Sequence, residues 1–228
     1  MPVYFLTDEI IFPDPENALE DGLLALGGDL SPARLVKAYQ NGIFPWYGDG
    51  SPILWWSPDP RMVLFPDEFK ISKSLKQSLK KNGFSVKTDT NFEAVISLCA
   101  KVPRSGQDGT WITEEMKEAY IEMHKLGYAH SFETYYDNKL VGGLYGISLG
   151  KGFFGESMFH LMRDASKIAM YYLVEYAKKN QFRFIDAQQE TDHLRTLGAR
   201  PVARKYFLKL LKETLEEKFV PGGWDGEW

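Results

Sequence analysis

The stretch at residues 129–186, AHSFETYYDNKLVGGLYGISLGKGFFGESMFHLMRDASKIAMYYLVEYAKKNQFRFID, decides the fold that we expect. The β-prone runs AHSFETYY, LVGGLYGISLG and KGFFGESMF are joined by short turns, which predicts an antiparallel meander. A helical pattern over DASKIAMYYLVEYAKKN separates this meander from one more strand, FRFID. Because a crossover of this kind returns the chain to a parallel neighbour, we expect FRFID to pair with KGFFGESMF.

This pairing would bring two carboxylates to the same edge of the sheet. Glu156 interrupts an apolar strand, and Asp186 ends FRFID just before Gln188, Gln189 and Glu190. A single buried acid more often pairs with a backbone N–H or an arginine than takes part in chemistry. Two acids on neighbouring strand ends favour a functional cleft, because burying unpaired carboxylates costs free energy. Neighbouring carboxylates also push one another's pKa apart, which suits proton transfer.

The rest of the chain surrounds this stretch with two kinds of sequence. Residues 1–62 alternate Pro and Gly with short elements, among them a helix capped by Ser31 and ended by Gly42. From about Arg61 onward, strand and helix patterns alternate. A chain of 228 residues, 44% hydrophobic and 25% charged, is long enough for one substantial core and a smaller lobe. We therefore predict an α+β protein with a small N-terminal domain over 1–62 and a larger domain over 63–228.

Composition predicts a cytoplasmic protein. No run approaches the roughly 18 apolar residues of a membrane span, and the N-terminal MPVYFLTDEIIFPDP lacks the basic start of a signal peptide. The lone Cys99 excludes an internal disulfide framework and lies in a helical apolar stripe, so we expect a buried thiol. The net charge of −4 repels nucleic acid from the protein as a whole, so any RNA contact requires a local basic patch.

The motifs of several common catalytic sites are absent from the sequence. The histidines at His124, His130, His160 and His193 lack metal-ligand spacing, and there is no second cysteine to join them. No G-x-S-x-G motif marks a serine nucleophile, and LVGGLYGISLGKG fits neither phosphate-binding glycine pattern. We therefore expect no metal and no cofactor.

The order of the predicted elements resembles the GNAT acyltransferase fold, which has a mixed, mostly antiparallel sheet flanked by helices. Members of that fold that use CoA hold its pyrophosphate in a glycine-rich turn at a helix N-terminus. The corresponding segment here is HLMRDASK, in which we expect Asp164 to cap the helix and in which no glycine lets the backbone surround a phosphate. A CoA donor is therefore disfavoured, and a CoA-dependent N-acyltransferase is kept as an alternative.

A stripe of lysines contrasts with the acidic character of the chain. The helical pattern ISKSLKQSLKK repeats lysine at i, i+3 and i+7, on the face opposite Leu75 and Leu79. The residues of this lysine stripe are Lys73, Lys76, Lys80 and Lys81. The stripe is either a solvated face or a surface that binds phosphates. A non-catalytic RNA-binding module is therefore a second alternative.

Some segments are specific strings that occur in order along nearly the whole chain: GLLALGGDLSPARLVKAYQNGIFPWY, PILWWSPDPRMVLFP, GTWIT, LVGGLYG, GESMF and DHLRTLGA. Together they resemble the bacterial leucyl/phenylalanyl-tRNA–protein transferases. The resemblance implies a small N-terminal domain and a larger GNAT-like domain. It also implies transfer of Leu or Phe, and of Met less well, from aminoacyl-tRNA to the N-terminal Arg or Lys of a protein, which marks that protein for degradation.

The resemblance further implies which residues form the site. The acid–amide pair of the family falls on Asp186 and Gln188, and a further strand carboxylate falls on Glu156. The tRNA-binding helix falls on the lysine stripe. The pocket for the amino-acid side chain and the terminal adenine falls on Trp46, Trp111, Tyr120, Leu144, Phe153, Met158, Leu173 and Ile185.

The chemistry of such a transfer agrees with these residues. The donor is an activated ester, so neither ATP nor a metal is needed, and the attacking α-amine has a pKa near 8. We expect Asp186 to orient or polarise Gln188, which accepts a hydrogen bond from the amine, and Glu156 to hold the incoming N-terminus. One methylene in an apolar pocket is worth only about 1–3 kcal/mol, so Met is expected beside Leu and Phe.

Overall fold

The computed structural model describes residues 3–81, 83–102, 111–217, 221–224 and 226–227. Of the sequence motifs, the first two residues of GTWIT, Gly109 and Thr110, lie outside these ranges. Within the described part of the chain, no helix is both long and apolar enough to cross a bilayer.

The chain forms a smaller and a larger β-sheet. Its strands are β1 (Tyr4–Leu6), β2 (Leu23–Gly27), β3 (Phe44–Pro45), β4 (Leu54–Trp56), β5 (Arg61–Leu64), β6 (Phe84–Thr88), β7 (Ala129–Tyr136), β8 (Lys139–Leu149), β9 (Gly152–His160), β10 (Phe184–Gln188), β11 (Arg200–Val202) and β12 (Gly226–Glu227). Its α-helices are α1 (Pro32–Gln40), α2 (Lys73–Leu79), α3 (Phe92–Lys101), α4 (Glu114–Lys125), α5 (Ala165–Lys179), α6 (Asp192–Thr196) and α7 (Arg204–Leu215).

The larger sheet contains the predicted meander. Its strand order is β11-β5-β10-β9-β8-β7-β6-β12, and β7, β8 and β9 pair antiparallel in succession. After the crossover through α5, β10 lies parallel to β9, with Ile185 opposite Phe153 and Asp186 opposite Phe154. This is the only parallel pair that the structure shows in the larger sheet among the residues it describes. The expected α+β class is therefore confirmed, with a mixed, mostly antiparallel sheet flanked by helices.

Helices cover both faces of this sheet. One face packs under α5, where Phe132, Leu144 and Leu173 belong to one buried cluster. The other face packs against α3, α4 and α7, and its buried cluster continues into the smaller sheet through Trp55. Because successive side chains of a strand point to opposite faces, neighbours such as Phe153 and Phe154 contribute to different clusters.

The N-terminal segment forms the smaller sheet, in the order β1-β2-β4-β3. Helix α1 begins as predicted, with the Ser31 Oγ accepting the N–H of Arg34 and with Pro32 in the first turn. The chain leaves this helix through Gly42, whose φ of +70° lies in the region that favours glycine. This segment carries α1 against α4 and α7, and so brings Tyr39 close to the larger sheet.

One local prediction is wrong. Asp164 stands at the N-cap position of α5, but its φ is +64° and its side chain accepts no hydrogen bond from that helix's backbone. Its carboxylate instead accepts the Ser78 hydroxyl at 3.0 Å and the Lys167 ammonium at 3.2 Å. The left-handed backbone turns the side chain away from the helix N–H groups and towards α2.

Candidate active site

A cleft of about 1060 Å³ opens where the ends of β9 and β10 meet the beginnings of α5 and α6. Its wall contains Glu156, Asp186 and Gln188, so the predicted acids and amide share one site. Most of the predicted pocket residues line the same cleft: Trp46, Trp111, Leu144, Phe153, Met158, Leu173 and Ile185. The sequence therefore led to one contiguous site, with an apolar wall next to a polar one.

Tyr120 occupies a different place from the other predicted pocket residues. Its side chain is fully buried in α4, and its hydroxyl donates to Glu156 Oε2 at 3.1 Å. It therefore lies behind the cleft and supports a residue of the wall. The family resemblance implied that Tyr120 belongs to the pocket, whereas the structure shows its hydroxyl in contact with Glu156.

Asp186 is held by an arginine that the sequence analysis did not single out. Arg61, the first residue of β5, donates from Nε to Asp186 Oδ1 at 2.9 Å and from Nη2 to Oδ2 at 2.7 Å. Its Nη1 donates to the carbonyl of Gly42 at 3.1 Å, and its guanidinium lies 4.8 and 4.7 Å from the ring centroids of Phe44 and Phe207. Both charges are buried, and the two-point geometry fixes the carboxylate.

Gln188 sits on an irregular strand end beside that carboxylate. Its φ is +55°, a left-handed conformation that is rare for a residue with a side chain, and the pairing of β10 with β5 shifts register at this point. The Asp186 Oδ1 accepts the backbone N–H of Gln188 at 2.9 Å and so holds this turn. The side-chain Nε2 of Gln188 donates to Glu156 Oε1 at 2.8 Å, which leaves its Oε1 to accept.

These contacts confirm that the two acids converge and correct how they are linked. Glu156 and Asp186 both bind Gln188, one through its side chain and the other through its backbone. Of the two expected roles of Asp186, orienting or polarising Gln188, the contacts support the first, because both carboxylate oxygens face Arg61 and the backbone N–H of Gln188. Asp186 orients Gln188 and does not contact its side chain.

Glu156 is the centre of a hydrogen-bond network from three parts of the chain. Its Oε1 accepts the Tyr39 hydroxyl at 2.7 Å in addition to the Gln188 amide, and its Oε2 accepts the Tyr120 hydroxyl. Burial raises the pKa of Glu156 to about 7, although the hydrogen bonds from Tyr39 and Tyr120 oppose this rise. The nearby negative charge of Asp186 raises it further. Glu156 is therefore a carboxyl group that exchanges its proton near neutral pH.

The two tyrosines serve as fixed donors to Glu156. Burial, followed by the negative charge of Glu156, raises the pKa of Tyr39 and of Tyr120 well above the ordinary value. Both hydroxyls therefore keep their protons at physiological pH. The two hydroxyl oxygens also lie next to one another, and since each carries one proton, a hydrogen bond between them competes with one of the bonds to Glu156. In the sequence, Tyr39 is one of the apolar positions of helix α1, and its side chain is buried with those of Leu35 and Ala38. Its hydroxyl partner is 117 residues away along the chain, so no local pattern could reveal it.

The lysine stripe lies beside the cleft mouth. All its members are exposed, and Ser74, between Lys73 and Lys76, lines the cleft. Lys73 and Lys76 belong to α2, whereas Lys80 caps the helix end and Lys81 follows it, with its ammonium 4.8 Å from the Tyr136 ring centroid. The helix is therefore shorter than predicted, and of the four lysines it carries only Lys73 and Lys76.

The structure also bears on metal and CoA binding. Among the residues that the structure describes, no group of three or more His, Cys, Asp or Glu side chains could hold a metal ion. The start of α5, where a GNAT fold would hold the CoA pyrophosphate, carries the buried Asp164 carboxylate. Between His160 and Lys167 no glycine lets the backbone surround a pyrophosphate, so this turn lacks the feature with which CoA users hold it.

Comparisons with known proteins identify the family. Residues 63–212 match the profile described as leucyl/phenylalanyl-tRNA protein transferase, and residues 28–59 match that of its N-terminal domain. A leucyl/phenylalanyl-tRNA–protein transferase from Thermodesulfovibrio yellowstonii is 55% identical over 100% of this chain and 93% of its own, and one from Desulfatibacillum aliphaticivorans is 52% identical over 100% and 97%. A GCN5-related N-acetyltransferase from Kribbella flavida matches 75% of this chain and 61% of its own at 10% identity and a TM-score of 0.36. The chain therefore belongs to the leucyl/phenylalanyl-tRNA–protein transferase family.

Proposed function

We propose that this protein transfers Leu or Phe, and Met less well, from an aminoacyl-tRNA to the N-terminal Arg or Lys of an acceptor protein. The product is a new peptide bond, and the added residue marks the acceptor for degradation. The observation that carries the proposal is the meeting of an apolar cleft wall with the Glu156–Gln188–Asp186 network in a member of this family. The relatives carry names that state both amino acids and the tRNA.

The apolar wall is the proposed site of the esterified amino acid and the terminal adenine. Phe153, Leu173 and Ile185 are buried, so a side chain that fills the space between them loses its contact with water. Trp46 and Trp111 stay partly exposed at the cleft, where their flat rings suit stacking on a base. A pocket of this kind accepts Leu, Phe and Met and rejects charged side chains through their desolvation cost.

Gln188 and Glu156 are the proposed catalytic residues. The Gln188 Oε1 accepts a hydrogen bond from the attacking α-amine while its Nε2 stays on Glu156. The amine nitrogen forms a bond to the ester carbonyl carbon, and the bond from that carbon to the ribose oxygen breaks. Glu156 receives the proton that the amine loses and returns it to the ribose oxygen, so the reaction needs no further reagent. Asp186 keeps Gln188 in place from behind.

Two further assignments belong to the proposal. Residues 1–62 form the small N-terminal domain and residues 63–228 the catalytic domain, and the small domain supplies Tyr39 to Glu156. The lysine stripe binds tRNA phosphates with little sequence preference, so binding is expected to weaken as salt rises. The protein is proposed to act in the cytoplasm.

The proposal is tested by incubating the protein with leucyl-tRNA and a model protein that begins with Arg, then measuring the mass of the acceptor. The expected result is a gain of one leucine residue on the Arg acceptor and none on a matched acceptor that begins with Glu. An unchanged Arg acceptor would refute the function. Incorporation of label from acetyl-CoA in a parallel reaction would favour the CoA-dependent alternative.

A further inference from the structure

The wall of the cleft changes character with distance from Glu156. Beyond the end of β9 it is lined by side chains that are cationic or become cationic on protonation, from four parts of the fold. We name this group the basic rim, and its members are His160 at the end of β9, Arg163 in the turn that follows, Lys167 in the first turn of α5 and His193 in α6. None of these residues belongs to the lysine stripe or to the acid–amide network.

The charges of the basic rim are arranged around one acid. The Asp164 carboxylate accepts Lys167 Nζ at 3.2 Å and lies 3.8 Å from Arg163 Nε. Its other hydrogen bond comes from the Ser78 hydroxyl. Two permanent cations therefore share one carboxylate, which leaves a positive charge in excess. The acid holds the lysine at the cleft wall, where an ammonium on a long flexible stem would otherwise disperse into solvent.

The two histidines are electrostatically close to these cations. Burial lowers the pKa of His193, and the charges of Lys167 and His160 lower it further. Because the pKa of His193 responds to the charges of Lys167 and His160, the three groups share one small region of the cleft. An anion placed among them would relieve their mutual repulsion.

The spacing along β9 relates the basic rim to the reacting ester. Glu156 and His160 are four residues apart on one strand, a distance of about 13 Å at 3.3 Å per residue. A nucleic-acid strand with stacked bases carries one phosphate for about every 3.4 Å along its axis. If the ester lies at Glu156, the phosphates of the last few nucleotides of the same strand lie within reach of the basic rim.

We propose that the basic rim is a phosphodiester-binding subsite for the single-stranded 3′ end of the aminoacyl-tRNA. The inference rests on the proposed function and adds a second, separate contact with the nucleic acid. The lysine stripe faces solvent outside the cleft, whereas the rim fixes the strand inside it. Its effect is to set how far the terminal nucleotide reaches, and so to place the ester against Gln188 and Glu156.

The test compares two ligands that share the same reacting end. One is leucyl-adenosine with an amide in place of the ester, which carries no phosphate. The other is a trinucleotide that ends in the same leucyl-adenosine. Binding of each is measured by calorimetry for the wild type, for Lys167→Gln, for Arg163→Gln and for the double variant. Lys178→Gln, at the other end of α5 and paired with Glu175, is the matched control.

The double variant is expected to bind the trinucleotide at least about tenfold more weakly and leucyl-adenosine within about twofold of the wild type. The slope of log affinity against log salt for the trinucleotide should fall by about 0.7 for each phosphate that the variant no longer neutralises. Lys178→Gln should change neither affinity. The leucyl-adenosine affinity also reports folding, and Arg163, whose side chain is 86% exposed, can be replaced without disturbing the core.

The inference is overturned if the variants lose affinity for both ligands equally, or if they keep the wild-type affinity for the trinucleotide. Failure of the proposed function looks different, because the wild type itself would then bind neither ligand and transfer no leucine.

Discussion

Glu133 and Glu156 are two carboxylates in the same sheet that differ in their access to the cleft and in their hydrogen-bond donors. Both interrupt apolar strands, Glu133 in β7 and Glu156 in β9, and burial raises the pKa of each. Glu133 is fully buried, and it accepts the backbone N–H groups of Thr90 and Asn91 together with the hydroxyls of Thr90 and Ser131. Its donors therefore come from the start of α3 and from a neighbour on its own strand.

Glu156 differs in its access and in its donors. It lines a cleft, and its hydroxyl and amide donors come from α1, α4 and β10, which are distant along the chain. The comparison shows that a buried acid in a strand is not by itself a sign of chemistry. What separates the two is an open side on which a substrate can meet the carboxylate.

The largest effect is expected for Asp186→Ala. The variant leaves the Arg61 guanidinium buried without its carboxylate, so the free energy of unfolding should fall by about 3–5 kcal/mol. The Gln188 turn also loses its anchor, and the transfer rate should collapse while the affinity for charged tRNA stays near normal. Urea denaturation and single-turnover transfer measure the two effects.

A double variant separates the two roles of this ion pair. Replacing both partners, Arg61→Leu with Asp186→Leu, removes the unpaired charge and should restore much of the stability. It cannot hold the backbone N–H of Gln188, so transfer should stay abolished. Recovery of transfer together with stability would show that Asp186 serves only the fold.

Glu133→Ala tests the other member of the comparison. It leaves the backbone N–H groups of Thr90 and Asn91 without their acceptor, at about 1–3 kcal/mol for each unsatisfied group. The unfolding free energy is therefore expected to fall by about 2–4 kcal/mol. Transfer by the folded fraction should stay within about threefold of the wild type. A selective fall in transfer would mean that Glu133 also contributes to the reaction.

The smallest effect concerns the stability cost of Glu156. Its pKa rises from an ordinary 4.5 to about 7 on folding, so between these pH values the folded state holds a proton that the unfolded state has released. This group therefore lowers stability as the pH rises through that window. The glutamine side chain of Glu156→Gln does not titrate, so the variant lacks this loss of stability. The unfolding free energy of the variant minus that of the wild type should therefore be about 1–3 kcal/mol larger at pH 8 than at pH 5. Equal differences at both pH values would contradict the raised pKa.

The sequence predicted the framework of the site because that framework depends on local patterns. Alternation and turns identified β7, β8 and β9, and the crossover through α5 predicted β10 as a parallel neighbour. Those two features suffice to place Glu156 and Asp186 near the same ends of two neighbouring strands. The helix cap at Ser31 was equally local, and it is present.

The partners of the acids could not be predicted in the same way. Arg61 and Asp186 are 125 residues apart, and Tyr39 and Glu156 are 117 apart. A sequence pattern reports which face of an element is buried, but a tyrosine in an apolar stripe has the same pattern whether or not its hydroxyl binds a carboxylate. Asp164 shows a further limit, since its N-cap position was foreseen and its left-handed backbone was not.

The most direct test of this account is the pH dependence of single-turnover leucine transfer in the wild type and in Glu156→Gln. The wild-type rate should depend on two ionisations, that of Glu156 near 7 and that of the acceptor amine near 8. Glu156→Gln should be slower by about 100-fold or more at pH 7.5 and should retain only the ionisation near 8. A variant that keeps the ionisation near 7, or that transfers leucine at the wild-type rate, would contradict the claim that Glu156 handles the proton.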